Sequence, residues 1–311
     1  MIRTIIVGCD LSAPSDLAID RAIGIALLHG AKLVLAHAQA DDAPIEDVNN
    51  AMLAHISQVS AAVRAVSADK LAAKLAEVQA LGVTCEIELR LGPPGEVLAE
   101  LAAELPAELI VVGTHGSTGI SRFLLGSVAA ETVRHAPCNV LVCRGPGTRT
   151  AFARPVVAMD FSPAASRALN HTVDLTLPNA TIEVVHAWQL PAGSWGASFL
   201  GLQSHFPWNI VRDAVLSGVQ AQVDKLKTQH TRLTRPFHVE LVQGPPASVI
   251  TAVAERGGHD LIVVGTHGHR GFRRLLLGSV ADGVIRHAPC SVLVVHGEHA
   301  GDTANFPRAN L

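Results

Sequence analysis

GTHGSTGISRFLLGSVAAETVRHAPCNVLVC, residues Gly113–Cys143, returns 152 residues later as GTHGHRGFRRLLLGSVADGVIRHAPCSVLVV, residues Gly265–Val295, with 20 of 31 positions identical. Each copy follows an apolar run, Leu109–Val112 and Leu261–Val264. Such a run reads as a buried strand. It ends in a glycine loop that leads into a helix. That arrangement holds phosphates in α/β proteins, because glycine lets the backbone approach an anion and the free N–H groups of a helix start face it.

Other segments repeat as well. Ile5–Ser12 (IIVGCDLS) matches Pro155–Ser162 (PVVAMDFS), Ala31–Ala38 (AKLVLAHA) matches Ala180–Ala187 (ATIEVVHA), and Leu91–Pro94 (LGPP) matches Gln243–Pro246 (QGPP). A period near 150 residues is too long for a solenoid and reads as domain duplication. The boundaries that follow are residues 1–147, residues 153–299 and a tail at 300–311, with a seam of turn formers from Gly145 to Pro155. Within the first half, strands are expected near 4–9, 32–37, 84–90, 108–113 and 139–143. Helices are expected near 14–29, 46–81, 95–105 and 127–135, and the second half repeats the order. Strand–helix alternation predicts an α/β protein of two doubly wound, Rossmann-like domains, each a parallel sheet covered by helices on both faces. Ligands in such sheets sit at the carboxyl ends of the strands, where the strand order reverses. Asp10 closes the first strand and the glycine loop follows the fourth.

Composition narrows the function classes. Hydrophobic residues make up 49% and charged ones 16%, which supports a real core and argues against disorder. The net charge is −3, with no basic run, so neither nucleic acid nor an anionic membrane is an expected partner. The start, MIRTIIVGCDLS, reads as a strand rather than a targeting sequence, and no apolar stretch approaches membrane-spanning length. The five cysteines are odd in number and lie in or beside apolar strands, as expected of reduced thiols in a cytoplasm.

The loop pattern G-x2-G-x9-G-S comprises Gly113, Gly116, Gly126 and Ser127, then Gly265, Gly268, Gly278 and Ser279. Gly113 and Gly116, like Gly265 and Gly268, are expected to take positive φ and aim N–H groups at an oxyanion. Ser127 and Ser279 either add a hydroxyl for a second phosphate or simply cap their helices. Asp10 and Asp160 either hold a magnesium ion or a ribose hydroxyl, or serve as N-caps in competition with Ser12 and Ser162. His115 and His267 either touch phosphate or are solvated, with catalysis the weaker reading. Arg122 and Arg274 either clamp a terminal phosphate or are surface charges. Arg134–Cys138 and Arg286–Cys290 (both RHAPC) read as structural corners rather than Cys-His nucleophiles. No histidine or cysteine spacing supports a structural metal site, and neither a Walker loop, a G-x-G-x-x-G fingerprint nor a nucleophile elbow occurs. The segment from Ala187 to Arg212 holds all three tryptophans, Trp188, Trp195 and Trp208. It reads either as an insertion packing its own aromatics or as a lid or partner surface.

At these residues the chain resembles the universal stress protein family in its tandem, two-domain form, over nearly all of residues 1–299. The loop pattern is that family's signature in ATP-binding members, and H-A-P-C-x-V-L-V is characteristic too. The resemblance implies a five-stranded parallel sheet of order 3-2-1-4-5 in each half. It also implies ATP between the first strand's end and the loop, where magnesium is expected at Asp10 and Asp160. Gly8, Asp10 and Ala38 would lie by the adenosine, with Thr114, His115 and Arg122 among the loop contacts. Gly113, Gly116, Gly126, Ser127 and Val128 would hold phosphates. The second half supplies Ala158, Asp160, Ala187, Gly265, Thr266, His267, Gly268, Arg274, Gly278, Ser279 and Val280. Ala158 departs from the pattern, and its β-carbon is expected to crowd the nucleotide. Pairing of Asn139–Cys143 with Ser291–Val295 inside one chain is implied as well, and a homodimer is a further assembly. The function implied is an ATP-binding stress sensor or regulator in the cytoplasm. The alternatives are a slow ATPase or adenylyl- or phosphoryl-transfer enzyme, and a nucleotide-free scaffold.

Overall fold

A computed structural model describes residues 1–39, 50–114, 125–189, 208–229, 237–266 and 277–297. The first half runs β1 (Thr4–Gly8), α1 (Ala13–His29), β2 (Lys32–Gln39), α2 (Asn50–Ala80), β3 (Cys85–Leu91), α3 (Pro94–Glu104), β4 (Leu109–Gly113), α4 (Ser127–His135), β5 (Asn139–Cys143). The second half runs β6 (Pro155–Ala158), α5 (Pro163–Leu175), β7 (Ile182–Trp188), α6 (Trp208–Gln229), β8 (Phe237–Gln243), α7 (Pro246–Gly257), β9 (Leu261–Gly265), α8 (Ser279–His287), β10 (Ser291–Val295).

The strands form one ten-stranded sheet in the order β3-β2-β1-β4-β5-β10-β9-β6-β7-β8. Each half thus carries the order 3-2-1-4-5 with parallel pairing throughout. The halves meet where β5 and β10 pair antiparallel, with Leu141 opposite Leu293. Those two leucines are equivalents in the repeat, so a pseudo-twofold axis passes between them.

Strand residues alternate between two apolar layers, because successive side chains point to opposite faces. On one face Ile5, Val7, Leu33, Leu109 and Leu141 pack against α1 and α2 through Ile19, Ala22, Leu71 and Val78. On the other, Ile6, Val34, Ile110, Val112 and Val140 pack against α3 and α4 through Leu98, Leu101, Ala129 and Val133. Both layers continue through the second half. Burial on both faces explains why these strands read as unbroken apolar runs.

Matching carboxylates tie β1 to β4 and β6 to β9 at the amino-terminal ends of these strands. Glu108 accepts bonds from the N–H groups of Arg3 (3.1 Å) and Thr4 (2.9 Å), and Asp260 from those of Ala153 and Arg154 (both 2.8 Å). The connection between the halves lies on α1. Arg21 donates to the Thr150 carbonyl at 2.8 Å and stacks over Phe152, its guanidinium carbon 4.0 Å from the ring centre. A β-carbon on Gly24 would sit 2.5 Å from the Thr150 nitrogen, so only glycine lets the connection pass.

Candidate functional site

The β1–α1 and β6–α5 turns are built alike. Asp10 and Asp160 each turn one carboxylate oxygen back on the chain and accept the N–H of Ser12 (3.1 Å) and Ser162 (2.9 Å). The Ser12 hydroxyl also donates to Asp10. The N-caps are the serines: Ser12 Oγ accepts from the Ser15 N–H at 3.4 Å, and Ser162 Oγ from that of Ala165 at 3.2 Å. The N-cap alternative for Asp10 and Asp160 is therefore corrected. A carboxylate two residues earlier braces the turn, while the shorter serine side chain reaches the helix amides.

Between each Asp and Ser lies a residue of unusual conformation, Leu11 and Phe161, both at φ 62°. Positive φ is costly for a branched or bulky side chain and persists where its surroundings over-determine it. His37 and His186 supply part of that. Their Nδ1 atoms lie 2.7 Å from the carbonyl oxygens of Cys9 and Met159. A carbonyl only accepts, so each Nδ1 carries the proton. The Phe161 ring rests 4.8 Å from that of His186. Sequence reasoning missed both histidines, although each precedes a candidate alanine, Ala38 or Ala187, in a segment that repeats.

Gly113 and Gly265 close β4 and β9 directly beside these turns. A β-carbon at Gly113 would lie 2.8 Å from the Pro14 carbonyl oxygen, and one at Gly265 would lie 3.0 Å from the Ala164 β-carbon. Neither glycine has positive φ. The expectation of positive φ here is corrected: glycine is required because the first turn of α1 crosses the end of β4, and that of α5 the end of β9. The next residues, Thr114 and Thr266, are buried. Their carbonyls accept the N–H groups of Gly126 (2.7 Å) and Gly278 (2.9 Å), so one bond joins the two ends of each glycine loop. His115, Gly116, Arg122, His267, Gly268 and Arg274 lie outside the described residues, as do Trp195 and most of the tryptophan-bearing segment.

The helix starts resolve the roles of the loop serines. The N-caps of α4 and α8 are Gly126 (φ −62°, ψ 151°) and Gly278 (φ −61°, ψ 146°), with no side-chain cap bond. Ser127 and Ser279 are first helical residues, which corrects the reading of them as N-caps. The first intrahelical bonds run from Ala130 to Gly126 and from Asp282 to Gly278. The earlier N–H groups have no carbonyl four residues back, and the helix dipole adds partial positive charge there. Beneath them, Ala38, Leu125 and Val128 pack on one apolar layer, as do Ala187, Leu277 and Val280 in the second half. Gly8 and Ala158 end β1 and β6. A β-carbon at Gly8 would meet Leu98 (3.2 Å) and Val112 (3.3 Å). The Ala158 methyl is likewise packed into the core, 8% exposed. This side-chain position faces helix and strand, which corrects the expectation of a methyl aimed at a ligand.

The cysteines are all buried and reduced. Burial pushes the thiols of Cys138, Cys143 and Cys290 up to about 12 and that of Cys85 to about 11. Cys138 and Cys290 are thus corner residues rather than nucleophiles. Among the described residues no group of three or more His, Cys, Asp or Glu side chains is placed to hold a metal, and no helix is long and apolar enough to cross a membrane.

The model of the universal stress protein family matches residues 1–144 and again residues 152–296. The chain belongs to the universal stress protein family. A universal stress protein of Mycolicibacterium smegmatis is 29% identical over 303 residues, covering 94% of this chain and 96% of its own. One from Methanocaldococcus jannaschii is 30% identical over 145 residues, which is 46% of this chain and 82% of that protein. Among solved structures, a universal stress protein from Archaeoglobus fulgidus superposes with a TM-score of 0.60 at 21% identity, covering 94% of this chain and 98% of that one. This universal stress protein therefore shares the tandem fold of that structure, with both halves inside the family.

Proposed function

We propose that this universal stress protein binds one ATP in each half and acts as a nucleotide-dependent regulator of the stress response. One observation carries the reading. In both halves a backbone bond, Gly126 to Thr114 and Gly278 to Thr266, joins a strand end to a helix start whose N-cap glycine makes no side-chain cap bond. An anion fits such a place without further machinery. The Asp10 and Asp160 turns lie against the same strand ends, through Pro14 and Ala164. Gly113, Gly126, Ser127 and Val128, with Gly265, Gly278, Ser279 and Val280, would take the phosphates. Ala38 and Ala187 would lie by the adenosine. One carboxylate per site is the usual protein share for magnesium, which keeps waters and is held chiefly by the phosphates. Asp10 and Asp160 fit that share, and the ion would neutralise phosphate charge there. Ordering of the loops by nucleotide would change the surface that partners read.

Calorimetry with magnesium-ATP tests the reading. The expected result is two sites per chain with dissociation constants in the micromolar range or below. Gly116→Val should remove the first site only and Gly268→Val the second only. Absence of heat with ATP, or unchanged stoichiometry in both variants, refutes it. Multiple-turnover release of phosphate at a rate of about 1 per second or more, as kinases achieve, would replace the regulator with an enzyme.

A further inference from the structure

The two helices that begin at the candidate phosphate loops end at the seam between the halves. There the pseudo-twofold exchanges a contact. In α4 the Ala136 N–H closes the last turn on the Thr132 carbonyl, and in α8 the Ala288 N–H does so on that of Val284. The next carbonyl in each helix has no intrahelical partner. In α4 it is that of Val133, and it accepts a bond from His296 Nε2 at 2.8 Å. In α8 it is that of Ile285, and it accepts from Arg144 Nη2 at 3.2 Å, while Arg144 Nη1 donates to the Ala288 carbonyl. Arg144 follows β5 and His296 follows β10, so each capping residue belongs to the opposite half. They are equivalents in the repeat, as are Val133 and Ile285.

The cap residues are themselves held by the other half. The N–H of Arg144 donates to Ser291 Oγ at 3.1 Å, and the Ser291 hydroxyl donates back to the Arg144 carbonyl at 3.1 Å. The N–H of His296 donates to Asn139 Oδ1 at 3.1 Å. Ser291 and Asn139 open β10 and β5, and they too are equivalents.

We propose that Arg144 and His296 are positioning residues for the opposite half's nucleotide site, so that each half's last strand sets the affinity of the other half. The proposal rests on the nucleotide reading above. Each helix has only nine residues, too few to be stable without tertiary support. A C-terminal cap from across the seam therefore fixes the position and order of the amides at the other end. A donor at the helix C-terminus also favours the dipole that an anion meets at the N-terminus. The two caps differ chemically. The arginine is permanently charged and forks over two carbonyls, while the histidine donates to the Val133 carbonyl through a single ring N–H.

The test is a crossed measurement on the full chain. Arg144→Met, made in the Gly116→Val background where only the second site remains, should weaken ATP binding about fivefold, the low end of coupling between sites. The same substitution in the Gly268→Val background should leave the first site unchanged. His296→Ala should give the reverse pattern. Arg144→His, which installs the other half's cap, should restore most of the second-site affinity. General destabilisation would weaken both sites alike, and that outcome, or no effect at either site, overturns the proposal. Amide hydrogen exchange without nucleotide supplies the independent arm. Exchange should quicken in α8 but not α4 for Arg144→Met, and in α4 but not α8 for His296→Ala. If the wild-type protein binds no ATP, the nucleotide reading fails, and this exchange pattern alone decides whether the caps position the helices. Exchange that changes equally in both helices overturns the positioning role.

Discussion

Replacing Gly113 by alanine separates two explanations of the same glycine. The added β-carbon would lie 2.8 Å from the Pro14 carbonyl oxygen and 3.0 Å from its carbonyl carbon. An ordinary contact needs about 3.5 Å, so α1's first turn must retreat by several tenths of an ångström. Overpacking of this order costs about 1–3 kcal/mol. The lower entropy of an unfolded alanine returns about 0.4–1 kcal/mol. The midpoints leave a net loss of about 1.3 kcal/mol, which lowers Tm by about 3–5 °C in a domain of this size. Gly265→Ala should cost less, about 1 kcal/mol or below, because its nearest neighbour is the Ala164 β-carbon at 3.0 Å. Scanning calorimetry on both variants gives the order. Gly113→Asn provides the sharper check. Asparagine tolerates positive φ better than alanine, so a left-handed glycine would accept Asn above Ala. A glycine kept by close approach would not. The reasoning is refuted if Gly113→Ala melts with the wild type, or if Gly113→Asn is the more stable of the two.

Other expectations follow from the same contacts. Gly24→Ala, whose β-carbon would reach 2.5 Å from the Thr150 nitrogen, should destabilise more than Gly113→Ala in the same calorimeter. At pH 8 the native protein should react slowly with a thiol reagent at every cysteine, since burial keeps those at 138, 143 and 290 near 12; rapid labelling of Cys138 without unfolding would count against the buried corner. Burial works to raise the Glu108 pKa, but its bonds from Thr4 and Arg3 prevail and hold it below the usual carboxylate range. Its contribution is therefore present above the ordinary glutamate pKa and fades as pH falls through the lower folded value. Glu108→Gln should cost about 1–2 kcal/mol at pH 7 and less in acid, as denaturant titrations at both pH values would reveal. Residues 1–147 alone leave the β5 edge bare and should dimerise or precipitate; a stable monomer at high concentration in sedimentation experiments would refute that.

The central strands were legible because burial on both faces wrote them as runs of Ile, Val and Leu, and β5 was placed to the residue, whereas the edge strands β3 and β8 mix apolar with charged or polar residues. The loop–helix junctions were legible from glycine and from the duplication. What the glycines do was not. Nothing local distinguishes a glycine needed for its φ from one needed because Pro14 crosses it. The conformation of Leu11 and Phe161 was equally hidden, since side-chain type argues against positive φ and only the tertiary frame imposes it. His37 and His186 were marked by repetition alone, and their bond to a carbonyl 28 and 27 residues away depends on neighbouring parallel strands. Arg144 and His296 were beyond reach for the same reason, because each acts across the seam on a helix of the other half.

The antiparallel β5–β10 pair has an evolutionary consequence. Were the two halves separate identical molecules, such a seam would form only at sufficient concentration, and any substitution in one copy would appear in both. Joined in one chain, the partners meet at a high effective concentration, and each side of the seam is free to change alone. Arginine at 144 corresponds to histidine at 296 beside the seam, and away from it glycine at 8 corresponds to alanine at 158. A duplicated gene can in this way tune one half without detuning its mate.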